Sequence, residues 1–385
     1  MKLLMYIWRN ATRNRLRSVL TVLSIGFSLA LLTVLYGYLA MQEAWGREAE
    51  QHHRIVVMNT QGFAGEVPIA YVDRVRGMDG VDGAIPYAWF GGTYKGERVM
   101  FAQFGTDPHE VFRVWDEFRI EPEQLKAWQN NRRGCVVDRR LAEEQGWTIG
   151  ERIPLEGTFY QFNLDLELVG LFDAPQPTGT LWFDWTYLDE GLRSAQAPGA
   201  GNAGIIFAKA ESASVIPELC QAIDDRFASS DNPTRTQTEG AFAQMFTEMM
   251  GNIQTYIRTI ALAVMFSLTL VAGNAMAMSL RERTTEIAVL KAIGFPRGRV
   301  LGMVLGEACL IAGVGGLTGL AVGSGFLQLL HNAMPQMMPL GMADLAGPWM
   351  LLIIAAAAAI GLLSGIVPAL RAARLSVVNG LRRVV

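Results

Sequence analysis

Three cysteines and four histidines among 385 residues leave little material for a metal centre or a disulfide-stapled scaffold. His52, His53, His109 and His331 form no H-x-x-x-H or H-E-x-x-H pair, so no two imidazoles share a helix face for zinc. The chain lacks a G-x-S-x-G elbow, which removes the usual hydrolase nucleophile, and it lacks G-x-x-x-x-G-K-[ST], the backbone cradle and lysine that hold nucleotide phosphates. Neither charge sign dominates: 33 Lys and Arg face 36 Asp and Glu, a net −3, which excludes a strongly basic nucleic-acid binder. Glycine and proline follow no period, and 51% of residues are hydrophobic, which excludes collagen-like and disordered chains.

What the chain does have is apolar residues gathered into four stretches. Leu20–Leu39 contains no charge and matches the roughly 20 residues a helix needs to cross ~30 Å of hydrocarbon. Ile260–Met278, a run from about Ala308 to Leu330, and Trp349–Val367 are the other three. A cleaved signal peptide competes for the first, but its apolar core would be too long and no small-x-small site follows Leu39.

Charge sets the expected orientation. Met1–Val19 holds five basic residues and no acid, the segment Ser279–Met303 holds five against two, and the tail after Val367 holds four. The insert Gln42–Thr255 holds 18 Lys and Arg against 32 Asp and Glu. The positive-inside rule therefore predicts a multi-pass protein of the bacterial cytoplasmic (inner) membrane with both termini cytoplasmic. The expected order is an amphipathic cytoplasmic helix over 1–18, with Leu3, Leu4 and Ile7 beside Arg9, Arg13 and Arg17 on membrane lipid, then a span with its stalk over 19–41. An extracytoplasmic domain follows over 42–240, then a stalk and second span over 241–278 and a cytoplasmic loop over 279–303. A third span over 304–330, an outer loop over 331–348, a fourth span over 349–367 and a cytoplasmic tail over 368–385 complete it. The fold class is thus a membrane α-helical protein with four transmembrane helices and a large α+β domain inserted between spans one and two.

The insert is too long for a structureless loop. Arg54–Met58, Arg98–Phe104, Leu164–Phe172 and Gly204–Ala208 read as strands, and Pro122–Gln129, Asp138–Gln145 and Ala213–Phe227 as helices, in an α+β unit of two lobes. Leu181–Leu188 alternates like a half-buried strand, with Leu181, Phe183, Trp185 and Tyr187 on one face; an aromatic substrate patch is the other reading. Pro175–Gly179 reads as an exposed partner loop. From Phe242 a helical stripe runs through Met245, Met249, Ile253 and Ile257 into the second span. It is either a core-facing helix or a stalk, paired with one that Met41 and Trp45 extend from the first span. Cys135 and Cys220 share the exported insert, so a disulfide and two free thiols are both open.

In the loop between spans two and three, Ser279–Phe295 interleaves Arg281, Glu282, Arg283, Glu286 and Lys291 with Ile287, Leu290 and Ile293, and Gly294 with Pro296 stops it. This predicts a short amphipathic helix, lying on headgroups or docked on a protein; Glu282 and Glu286 suit a protein partner better than anionic lipid.

Several runs resemble MacB/FtsX-type ABC permeases. RERTTEIAVLKAIGF resembles that family's charged loop between the second and third spans; Glu307 followed by Gly315, Gly316, Gly319 and Gly323 is similar to its E-x7-G-G-x-x-G helix. PALRAARLSVVNGLR, from Pro368 to Arg382, resembles its terminus, and CVVDRRLAEEQGWTIGERIPLEG, from Cys135 to Gly157, its periplasmic lobe motif. Ala288, Glu151, Val377 and Gly380 depart mildly from the pattern.

The resemblance implies a permease, not itself an enzyme, that binds two copies of a separate ABC ATPase; no cofactor is held on this chain, ATP and magnesium being on the ATPase. ATPase-coupling contacts would fall on Arg281, Glu282, Arg283, Thr285, Glu286, Lys291 and Gly294. A second permease, as homodimer or with a close paralogue, and an extracytoplasmic adaptor or chaperone are the further partners; nucleic acid is not one. Gly315, Gly319 and Gly323 allow close helix packing, within the chain or across a dimer. Glu307 is expected to meet a basic residue. The implied activity is mechanotransmission: ATP-driven movement of a lipoprotein, lipid, peptide or drug from the outer leaflet or extracytoplasmic space. The alternatives are a non-transporting transducer that activates a cell-wall hydrolase and an antibiotic sensor.

Overall fold

The computed structural model describes residues 15–96, 101–176, 178–249, 253–333 and 348–378. The chain divides into two compact units, one gathering the four long helices and the other spanning Glu43–Met249. The expected amphipathic helix over 1–18 lies almost wholly outside the described residues, since α1 (Arg15–Gln51) is described from Arg15.

The inserted unit opens with β1 (Arg54–Asn59), β2 (Val67–Pro68), α2 (Ala70–Arg76), β3 (Val81–Trp89), β4 (Gly92–Tyr94), β5 (Ala102–Thr106) and α3 (Val111–Val114). It continues with β6 (Arg119–Ile120), α4 (Pro122–Gln129), β7 (Gly134–Asp138), α5 (Arg139–Gln145), β8 (Arg152–Gly157), β9 (Leu164–Asp173) and β10 (Thr180–Asp184). It closes with α6 (Trp185–Ser194), β11 (Asn202–Ala203), β12 (Ile205–Ala210), α7 (Ile216–Phe227), β13 (Thr234–Thr238) and α8 (Glu239–Met249).

The strands of the two expected lobes join in a single sheet path, β13-β1-β12-β3-β5-β10-β7-β9-β8-β4, with β6 on β9. β3 is the shared strand: Val81–Tyr87 pairs with β12, and Ala88 and Trp89 pair with β5. One face carries two apolar clusters, one around Ile55, Val57 and Phe227 and one around Cys135, Leu166 and Phe183. Alternate residues such as Val56, Ile85, Val136 and Trp182 point into an aromatic cluster on the opposite face. Central strands buried on both faces read as continuous apolar runs, which is why the RIVVM segment looks uniform rather than alternating.

One sequence expectation is corrected here, and one left open is resolved by the structure. Leu181–Leu188 is half strand and half helix: β10 ends at Asp184, whose carboxylate accepts the Thr186 N–H and caps α6. Leu181, Trp182 and Phe183 are all buried, so the segment is core and offers no aromatic patch. The alternation of large and polar residues came from a cap falling between two apolar elements. Cys135 and Cys220 are both free, the first buried in one cluster and the second packed beside the other.

The Cys135–Gly157 run is explained by local geometry. Asp138 caps α5 through the Arg140 N–H, Gly146 takes the left-handed conformation that ends it, and the Glu151 carboxylate accepts the Thr148 N–H in the following turn. Asp138 also accepts from Thr178 and from the Gly179 N–H, so the Pro175–Gly179 loop, expected as an exposed partner loop, is exposed at Pro175 and tied down at its Gly179 end.

The helical unit continues with α9 (Ile253–Glu282), α10 (Thr284–Ala292), α11 (Arg297–Ala333) and α12 (Pro348–Arg374). Among the described residues, four helices, α1, α9, α11 and α12, are long and apolar enough to cross a membrane. Continuity of the expected stalk from α8 into α9 falls on residues 250–252, outside the described residues. α11 lies between α1 and α12. A Cβ on Gly319 would sit 2.6 Å from the Gly26 carbonyl, and one on Gly323 would sit 2.6 Å from Thr33 Cβ. Gly316, one residue round the helix from Gly315, faces Ala357 of α12 instead, and Gly361 and Gly365 return the contact onto Cys309 and Ala308. The glycine stripe thus serves packing inside the chain. α12 also packs on α9, giving the order α1–α11–α12–α9. The remaining faces carry exposed Leu23, Phe27, Leu262 and Phe266, a surface that water would disfavour and hydrocarbon would not.

Candidate functional site

The segment between α9 and α11 is built in three steps. α9 runs on to Glu282, so Arg281 and Glu282 belong to the end of a long helix and not, as the sequence suggested, to one short helix over Ser279–Phe295. Arg283 leaves helical geometry and caps α10, which therefore begins at Thr284. α10 ends in a Schellman motif: Gly294 has φ +95, its N–H donates to the Lys291 carbonyl, and the Phe295 N–H donates to the Leu290 carbonyl. A side chain at Gly294 would be strained there, which gives that glycine a physical reason.

The inner side of α10 is held at three places. Ile287 packs with Val300 of α11 and Ala372 of α12, flanked by Leu280, Phe295, Val304 and Leu375. Arg283 pairs with Glu307 of α11 at 2.9 Å, both side chains 11% exposed. Lys291 Nζ donates to the carbonyls of Ala373 (2.9 Å) and Leu375, the first in the last turn of α12 and the second just beyond it. The basic partner expected for Glu307 is therefore Arg283.

Of the seven sequence-predicted coupling residues, Arg283 and Lys291 point into the unit and fasten α10. Thr285 and Glu286 are half-buried, and Arg281, Glu282 and Gly294 are exposed. The exposed side also carries two apolar residues, Val289 (46% exposed) and Ile293 (68%). Val289 was missed from sequence, although its offset of two from Ile287 puts it off the buried face. Ala292, Pro296, Arg297 and Arg299 complete the outer surface. The result is a helix bolted to two long helices, with Val289 and Ile293 exposed one turn apart and exposed charges of both signs, Arg281, Glu282, Arg297 and Arg299, in the segments before and after it.

One trio among the described residues has ligand-like spacing for a metal: His52, Asp116 and Glu117 in the inserted unit. Its carboxylates already answer other cations, Glu117 bonding Arg54 and Asp116 bonding Lys209, which argues against a divalent ion.

Residues 18–226 match the MacB-like periplasmic core domain family, and residues 258–377 match the FtsX-like permease C-terminal family. An uncharacterized ABC transporter permease of Methanocaldococcus jannaschii is 21% identical over 98% of this chain and 96% of its own length. The macrolide export ATP-binding/permease protein MacB of Neisseria gonorrhoeae is 34% identical over 36% of this chain, which spans about a fifth (21%) of that relative. The periplasmic region of MacB from Actinobacillus actinomycetemcomitans covers 52% of this chain at 10% identity, with a TM-score of 0.37.

Proposed function

The chain belongs to the MacB/FtsX-type ABC transporter permeases, and from that premise we propose that it is the membrane subunit of an ATP-driven machine whose ATPase docks on α10. The observation that carries this reading is the two-sidedness of α10. Its outer pair, Val289 and Ile293, is exposed, while its inner side is fastened to α11 by Arg283–Glu307 and to the end of α12 by Lys291. A helix attached in this way passes a push on its outer face directly to two spans. It is a poor shape for a lipid-resting helix, which would be loose from the bundle.

The machine contains two copies of a separate ABC ATPase and a second permease, with both termini of this chain in the cytoplasm of a bacterial inner membrane and the inserted unit outside. ATP and magnesium reside on the ATPase. Closure of the ATPases displaces α10, and α11, wedged between α1 and α12 by glycine contacts, carries the displacement into the first span. Force rather than a solute crosses the bilayer, and it acts on a lipoprotein, lipid, peptide or drug handled by the inserted unit.

The test is affinity purification of the full-length chain from its native membranes. An ATPase bearing a G-x-x-x-x-G-K-[ST] sequence should co-purify, and Ile293→Asp should abolish its recovery while leaving the permease folded. Equal recovery with Ile293→Asp would overturn docking on α10.

A further inference from the structure

Arg54 opens β1, shortly after α1 ends at Gln51, and its side chain is only 5% exposed. A guanidinium this buried is costly unless its donors and faces are matched. Nε donates to Glu239 Oε2 at 2.5 Å, and Nη1 donates to both oxygens of Glu117 at 2.7 and 3.0 Å. The guanidinium carbon lies 5.6 Å from the centroid of the Trp115 ring, within cation–π range.

The strand pairing adds a second cation. β1 and β12 set Lys209 directly opposite Arg54, a like-charge pair that is unfavourable by itself. Lys209 pairs with Asp116 at 2.6 Å. Three consecutive residues, Trp115, Asp116 and Glu117, therefore answer both cations. Trp115 also belongs to the aromatic cluster that joins Val56 and Phe207 from one half of the sheet to Val136, Phe172 and Trp182 from the other.

Glu239 is the first residue of α8, and in sequence α8 leads to α9. Burial pushes the Glu239 carboxyl above the ordinary glutamate range, and the charge and hydrogen bond of Arg54 oppose that shift. Arg54 thus touches the strand by which the chain enters the inserted unit, the helix by which it leaves, and the core that spans the sheet.

We propose that Arg54 is a positioning residue, a two-sided clasp that ties the entry strand and the exit helix of the inserted unit to each other and to the aromatic core, so that displacement of either crossing reaches the whole sheet. Its purpose rests on the permease reading; its existence does not. The clasp has two arms, Glu239 on α8 and Glu117 on the loop after α3, and they can be cut separately.

Hydrogen–deuterium exchange on the full-length chain in lipid nanodiscs, with no ATPase present, tests it. Arg54→Gln should speed exchange about tenfold or more in residues 115–118 and 239–249 together, with residues 134–157 unchanged. Glu239→Gln should affect 239–249 alone, and combining the two should add nothing there. Arg54→Lys keeps the charge near Trp115 and Glu117 but loses the fork, so it should restore 115–118 and not 239–249. Any other pattern overturns the clasp, including unchanged exchange in 239–249 or a uniform loss across the unit. Failure to recover an ATPase in the purification described above would sink the docking of an ATPase on α10 and leave this result standing.

Discussion

Arg283 and Glu307 are 24 residues apart in sequence and form a salt bridge at 2.9 Å, with each side chain 11% exposed. Arg283 occupies the break between α9 and α10, so the pair fixes the start of α10 against α11. Removing one member of such a pair leaves an uncompensated buried charge and costs about 3 kcal/mol, whereas removing both leaves none. Arg283→Met should lower the thermal midpoint of the purified chain in detergent, and adding Glu307→Leu should restore most of it. A double variant worse than either single change would mean that the pair is not the fastening it looks to be.

Lys291 holds the other end of α10 by donating to the Ala373 and Leu375 carbonyls. A charged donor to backbone carbonyls contributes about 1.5–3 kcal/mol. Lys291→Met should therefore loosen the end of α12, read as faster tryptic cleavage after Arg374 in the full-length protein, while cleavage inside the inserted unit stays unchanged.

The glycines of α11 and their neighbours differ sharply in what a methyl group would meet. At Gly319 it would press against the Gly26 carbonyl at 2.6 Å; at Gly325 it would meet nothing within 4 Å. Gly319→Ala should destabilise by about 2 kcal/mol through overpacking against backbone that cannot yield. Gly325→Ala should be neutral or stabilising by up to about 1 kcal/mol, from helix propensity alone. Equal melting temperatures for the two variants would contradict the packing order α1–α11–α12.

Burial pushes the Cys220 thiol up to about 11, and pushes Cys135 up further still. Since the thiolate is the reactive form, Cys220 is about 0.1% ionised at pH 8 and Cys135 less. Peptide mapping after maleimide treatment of the folded protein should find both nearly unlabelled at pH 8, with Cys220 labelling about tenfold faster for each pH unit above that. Neither should need reductant, because neither is bonded.

The parts legible in sequence were those that composition or local spacing dictates. Four uncharged stretches gave the long helices, α4 appears with the bounds its pattern implied, and Gly294 with Pro296 marked the end of α10. The family was legible because its loop, glycine helix and lobe motif are contiguous runs. What stayed hidden depends on distance or on a cap. Asp184 turned a strand into a helix midway through LWFDWTYL because a capping carboxylate and an outward strand residue look alike in sequence. Arg54 looked like an ordinary strand opening because Glu117 and Glu239 lie 63 and 185 residues away. Arg283 and Lys291 looked like exposed coupling charges, since an amphipathic pattern does not say which charges reach inward to a neighbouring helix end. The glycine stripe was legible as a packing face, but its partner, α1, required the tertiary arrangement.

On the function proposed above, the outer face of α10 receives an ATPase. A photo-crosslinking amino acid placed at position 293, which is 68% exposed in the native residue, tests this in native membranes, with position 325 on α11 as the control. Docking on α10 predicts a single protein adduct at 293 that mass spectrometry identifies as an ATPase carrying a phosphate-binding G-x-x-x-x-G-K-[ST] loop, and no such adduct at 325. Crosslinks at 293 to lipid alone, or the same ATPase adduct at both positions, would contradict it.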